Sequence, residues 1–208
     1  MIVVGVGLVS GFLNTVAGGG SLITLPILIF MGLPSNVANA SNRIGIIFQS
    51  FSAIKGYQSK GISAYPYSLF LGISALFGAL LGAKIAVDIK GEVFNKILAI
   101  IMIVVFSILF KPTNQTELLT EKMSLKNKLI GIFIFFFIGI YGGFIQAGVG
   151  FLMIIVLTSL NNFTLVKSNS AKVFVVLVYT CAAVAIFAYE GIINWQYGLI
   201  LAVGNGIG

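Results

Sequence analysis

Two cations stand inside apolar stretches of this chain, Arg43 within PSNVANASNRIGI and Lys172 within TLVKSNSAKVFV. A charge held that far into an apolar span costs at least about 2.5–3.5 kcal/mol near a bilayer centre, so it is normally paired or functional. All five acids, Asp88, Glu92, Glu117, Glu121 and Glu190, fall in or beside expected loops and offer no local pairing. An anionic ligand would supply the missing charge. Asn39, Ser41 and Asn42, with Ser168, Asn169 and Ser170, place neutral donors on the same turns. The competing reading is that both cations lie near helix ends and snorkel to the interface.

A glycine-rich stretch precedes each cation. In GFLNTVAGGGSLITLPILIFMGLP, Asn14, Gly18, Gly19, Gly20, Ser21 and Pro26 interrupt an apolar run. Each interior glycine costs a helix about 1 kcal/mol relative to alanine, and three together free backbone amides that hydrocarbon cannot satisfy. A straight helix over 2–31 would be about 45 Å long, more than the roughly 30 Å of hydrocarbon it has to cross. Two half-helices meeting at the glycines fit better, their free amides turned toward the membrane interior, where helix N-termini favour anions. GGFIQAGVGFLMIIVL repeats the pattern in reduced form, with Gln146 in place of Asn14 and only Gly148 and Gly150 left of the triplet; a simple kink is the alternative there. For scattered glycines such as Gly72, Gly78 and Gly82, close helix packing is the expected role.

The elements that position these residues are transmembrane helices. With 59% hydrophobic and 8% charged residues the composition lies far from that of soluble domains, of which about a quarter is charged. Apolar segments run over about 2–31, 36–54, 64–87, 94–110, 127–160, 165–188 and 195 onward. Continuous runs such as KILAIIMIVVFSILF exclude the alternation of a membrane barrel. The lysines behind the +7 net charge are scattered between spans, which argues against a nucleic-acid surface. Cys181, the one cysteine, sits among small apolar residues as packed helix does. The N-terminus lacks the basic region and cleavage site of a secretory signal and reads as part of the core.

Residues 111–127 form a hydrophilic connector between a first repeat, 1–110, and a second, 128–208. Gly11-Phe12 aligns with Gly143-Phe144, Gly20 with Gly150, and Arg43 with Lys172. At an offset of 130, Gly61-Ile62, Tyr67, Leu69, Leu71 and Gly78 fall on Gly191-Ile192, Tyr197, Leu199, Leu201 and Gly208. The expected fold is therefore an all-α polytopic membrane protein of two homologous repeats with glycine-broken, half or re-entrant helices, related by inversion. The second repeat is expected to lack the counterpart of about one and a half helices of the first. Such duplication is characteristic of secondary transporters, whose sites lie between the repeats.

The stretch NTVAGGGSLITLPIL followed by ANASNR resembles the sulfite exporter TauE/SafE family, also called the TSUP group, and the resemblance covers both repeats. It implies a bacterial-type inner-membrane permease of two homologous halves, associated with sulfite, sulfonates and related anions. The first repeat matches well in its glycine triplet, Pro26 and Asn-Arg pair. The second departs from it by losing the triplet and by carrying Lys172 where the first has Arg43.

The expected function is thus export of a small sulfur-containing oxyanion bound between the repeats by Asn14, Gly18, Gly19, Gly20, Ser21, Asn39, Asn42, Arg43, Gln146, Gly148, Gly150, Asn169 and Lys172. The lipid bilayer is its other partner, and no cofactor or metal is called for. Proton relay is disfavoured, since the chain has no histidine and no carboxylate within a span. An inside-negative potential already expels anions by about 2.3 kcal/mol per charge per 100 mV. The alternative is a membrane scaffold or assembly subunit, whose centre would be solid and glycine-packed; an intramembrane enzyme lacks candidate groups. Five crossings per repeat would invert the halves and four would leave them parallel. The inverted arrangement puts Lys55, Lys60 and the connector on one side, the cytoplasmic one.

Overall fold

The computed structural model describes residues 2–109 and 120–208, so most of the expected connector lies outside the described residues. Those residues form helices and no strand: α1 (Ile2–Val16), α2 (Ser21–Phe30), α3 (Ser35–Ser59), α4 (Tyr67–Asp88), α5 (Gly91–Leu109), α6 (Leu125–Phe144), α7 (Val149–Asn161), α8 (Leu165–Tyr189) and α9 (Trp195–Ile207). Local chemistry sets several starts. Ser124, Thr164 and Asn194 accept the amides of Asn127, Lys167 and Tyr197 with their side chains, satisfying donors that a helix start leaves orphaned.

Three helices, α4, α6 and α8, are long and apolar enough to cross a membrane. Helix α3 is as long as α8, 25 residues, but carries a buried polar face of Ser35, Asn39, Ser41, Asn42, Arg43, Gln49 and Ser50. The outer surface is the reverse of a soluble protein's: Phe30, Phe48, Phe70, Phe77, Phe133, Phe137 and Val203 are exposed, as lipid-facing residues are. The interior is built from small residues that let helices approach closely.

Both broken segments fold back on themselves. In the first, Gly20 lies beside Ser10 and Asn14, and Val3 near the start of α1 joins a cluster with Leu28 and Leu33 at the end of α2. In the second, the Asn127 amide group at the start of α6 donates to the Leu160 carbonyl at the end of α7, 3.2 Å away. Each is a helical hairpin with its tip inside the protein, at residues 17–20 and 145–148. The second break is therefore a full reversal rather than a kink.

Helices α3 and α8 cross the centre antiparallel: Arg43 near the start of α3 sits 5.0 Å from the ring of Phe187 near the end of α8, while Ser170 near the start of α8 donates to the carbonyl of Ile62, just after α3. Around this pair α1 packs on α9, and α4 packs on α6. Both contacts use glycines. Gly78 and Gly82 of α4 lie against the Phe136 and Ile140 carbonyls of α6, and Gly139 and Gly143 of α6 against Ala75 and Ala79. On the other side Gly7 and Gly11 of α1 meet Gly204 and Asn205 of α9. These are small-xxx-small faces on both helices of each pair. Gly72, by contrast, makes only ordinary contact with the Val178 side chain.

Candidate functional site

The site begins with an accounting of backbone groups. Helix α1 ends at Val16 inside the protein, leaving four carbonyls without intrahelical donors. Leu13 O accepts from the amides of Ala17 and Gly18. Lys172 Nζ donates to Asn14 O at 2.7 Å and Thr15 O at 3.1 Å, and the Asn169 amide group donates to Val16 O at 3.0 Å. All four are satisfied, the last three from α8. The third donor of the ammonium goes to Asn169 Oδ1 at 2.6 Å, so Lys172 has no donor unused.

At the end of α6, α3 supplies donors to two of the four terminal carbonyls. Tyr141 O accepts from Ile145 and Gln146, Arg43 Nη2 donates to Gly143 O at 2.7 Å, and the Asn39 amide group donates to Phe144 O at 2.8 Å. Arg43 Nε and Nη1 have no partner, and its guanidinium lies over Phe187. The two cations thus exchange roles across the molecule, each on a long helix of one half and holding the broken helix of the other. Both are interior residues, 0% and 2% exposed, about two turns into their helices, and neither snorkels. The charge that no nearby acid compensates is balanced partly by carbonyl ends from the opposite half.

The N-terminal halves of the breaks face the other way. Gly18, at φ +90°, and Gly150 meet tip to tip; a Cβ on either would land on the other's Cα. Gly20 donates its amide to Asn14 Oδ1 at 2.7 Å, while the amides of Gly19, Ser21, Gly148 and Gly150 find no acceptor among the described residues. Asn42 ties the start of α2 to α3: its amide group donates to Ser21 Oγ at 3.2 Å, and Thr24 Oγ1 donates to Asn42 Oδ1 at 2.8 Å. Start α2 and start α7 therefore present positive dipole ends, while cations and amides cover the negative end of α1 fully and that of α6 in part.

Between the tips lies a small cavity of about 20 Å³. That is room for about one water. Of the residues expected at the site, Asn14, Gly18, Ser21, Gln146, Gly150 and Lys172 line it. Gly19, Gly20 and Gly148 belong to the tips without lining it, and Asn39, Asn42, Arg43 and Asn169 stand behind it as supports. Gln49, Ser50 and Tyr179 line it without having been anticipated. Each, like Gln146, keeps a buried polar atom with no partner. Gln49-Ser50 interrupts the run IIFQSF, a signal that was available; nothing in the sequence around Tyr179 marks it.

A helical bundle with an apolar exterior, two deeply buried cations and two helical hairpins meeting at a small internal cavity has the organisation of a membrane transporter. Comparison with known proteins agrees: residues 3–208 match the family described as Sulfite exporter TauE/SafE, and the chain belongs to that family. A probable membrane transporter protein of Haemophilus influenzae is 28% identical over 204 residues, 98% of this chain and 79% of the relative. A probable membrane transporter protein, ORF9, of a Sinorhizobium species is 24% identical over 200 residues, 96% of this chain and 76% of the relative. No solved structure gives a significant match.

Proposed function

We propose that this transporter carries a small sulfur-containing oxyanion, sulfite or a sulfonate, out across the inner membrane through a site between its two hairpin tips. The observation that carries the reading is electrostatic. Two half-helix N-termini with unpartnered amides converge on one small cavity, while the carbonyl end of α1 beside it is fully satisfied and that of α6 largely so. The local field then favours an anion. Asn14, Ser21 and Gln146, with the Gly18 and Gly150 backbones, are the first contacts; Lys172 lines the site as a positive charge whose donors are spent, and Asn39, Asn42, Arg43, Asn169, Gly19, Gly20 and Gly148 hold the contacts in place.

The two halves are read as inverted repeats. Their support is the antiparallel crossing of α3 and α8 and the paired contacts α1 with α9 and α6 with α4. With the broken segments as re-entrant hairpins, α3, α4 and α5 are the full crossings of the first repeat, an odd number that inverts the second. In the state described, the cavity admits about one water, so an oxyanion enters only when the tips part on one side or the other. Membrane potential alone drives a bound anion outward.

Liposomes holding the full-length protein provide the test. Sulfite flux well above that of empty liposomes, and lost in a variant with both Arg43→Ala and Lys172→Ala, is the expected result. Equal flux in wild type and double variant would sink the reading. A protein with no flux of any sulfur oxyanion would favour the scaffold alternative.

A further inference from the structure

Lys172 occupies an unusual position for a residue assigned to substrate. Its three donors are all spent on oxygens at 2.6, 2.7 and 3.1 Å, two of them carbonyls at the open end of a broken helix and one an amide oxygen. The group is 2% exposed and forms no ion pair among the described residues. In membrane transporters, carbonyls freed at the ends of half-helices form the sites that hold coupling sodium ions. Here the same kind of oxygen cage is filled by the chain's own ammonium.

We propose that the Asn14–Thr15–Asn169 cage is a monovalent-cation site and that Lys172 is a tethered cation filling it. One fixed positive charge does there what a bound sodium or ammonium ion would do. It covers the negative end of α1 and fixes the tip that carries Gly18. The cation travels with the protein and never dissociates, so turnover needs no inorganic ion at this position. The oxygens are in the chain whether or not the lysine is, and removal of the side chain past Cβ opens the space its stem and ammonium occupied. The adjoining cavity, lined by both Asn14 and Lys172, supplies a route and water for the remaining ligand positions. The Arg43 end differs, since its planar guanidinium reaches one carbonyl and leaves two nitrogens idle, so no comparable cage exists there.

The test uses purified full-length protein in detergent, with thermal unfolding measured in sodium, ammonium or choline chloride at equal ionic strength. Wild type is expected to unfold at the same temperature in all three salts. Lys172→Ala is expected to unfold several degrees higher in sodium or ammonium than in choline, saturably in the millimolar range. Lys172→Met, whose side chain fills the space, is expected to show no such shift. In liposomes, anion flux by Lys172→Ala should recover at least tenfold on replacing choline with the stabilising cation, while wild type stays indifferent. If Lys172→Ala is not recovered folded, Lys172→Ala with Asn169→Asp carries the same measurement, its carboxylate raising cation affinity. Absence of any cation-specific shift in both variants overturns the proposal, as does a sodium-dependent shift of equal size in wild type. The unfolding arm reads the cage itself, so its failure is separate from a failure to find anion flux.

Discussion

The open ends of α1 and α6 pose one problem and receive two different solutions. At α1 an ammonium and an amide satisfy every carbonyl, and the ammonium is itself satisfied. At α6 a guanidinium and an amide satisfy two, the Gly142 carbonyl finds no donor among the described residues, and the guanidinium keeps two idle nitrogens. The first hairpin is further pinned through Asn42 to Ser21 and Thr24; the second has apolar Met153 and Leu157 buried along its returning helix. The carbonyl end of the first tip is thus the more fully satisfied, while the second tip is held instead by Tyr141, whose hydroxyl donates to the Ala147 carbonyl, and by Gln146, whose amide group donates to Thr180 Oγ1 at 3.4 Å.

The largest test of that contrast is removal of each cation. Each buried carbonyl left without a donor costs about 1–3 kcal/mol. Lys172→Met strands two carbonyls and Arg43→Met one, so thermal unfolding should fall roughly twice as far for the lysine variant. Equal losses would break the comparison. Next in size, Gly18→Ala and Gly150→Ala each push a methyl into the opposite tip, and Gly18 adds about 1–3 kcal/mol of backbone strain at its positive φ. Both should abolish anion flux, and Gly18→Ala should give the lower yield of monodisperse protein.

Asn169→Ala and Asn39→Ala each remove one carbonyl donor, at about 1–3 kcal/mol. The Asn169 change should be the costlier, because Lys172 loses an acceptor as well; chemical denaturation in mixed micelles measures the difference. A smaller effect is expected from Asn42→Ala, about 1 kcal/mol, seen as a few-fold slower flux with little change in unfolding temperature. At the bottom of the scale stands Gly56→Ala in α3. Nothing lies within 4 Å of its added methyl, so unfolding temperature should stay level or rise slightly through helix propensity.

Local signals in the chain marked one side of each interaction. Three successive glycines announce a broken helix, and an arginine after ANASN in an apolar run announces a buried polar turn, because both cost too much in lipid to be incidental. What satisfies them is backbone, and backbone carbonyls carry no residue-type signature. The acceptors for Arg43 and Lys172 lie 100 to 158 residues away in sequence. A search for acidic partners therefore finds none and assigns the whole imbalance to a ligand. The same limit hides the tip contact: Gly150 reads as the remnant of a lost triplet, yet it is the partner of Gly18. Tyr179 was illegible for a third reason, since an aromatic in VVLVYTCAA is ordinary transmembrane composition until Gly142 is found against its ring.

The exchange of caps between halves also sets an order of events during synthesis. Lys172 follows Asn14 by 158 residues, which at about 5–20 residues per second leaves the end of α1 bare for about 8–30 s after it emerges. Through that interval the first hairpin holds unsatisfied carbonyls that hydrocarbon will not accept. It completes its burial only when α8 arrives. The ribosome therefore delivers the first half of this transporter as an unfinished part, its carbonyl caps completed only by the second.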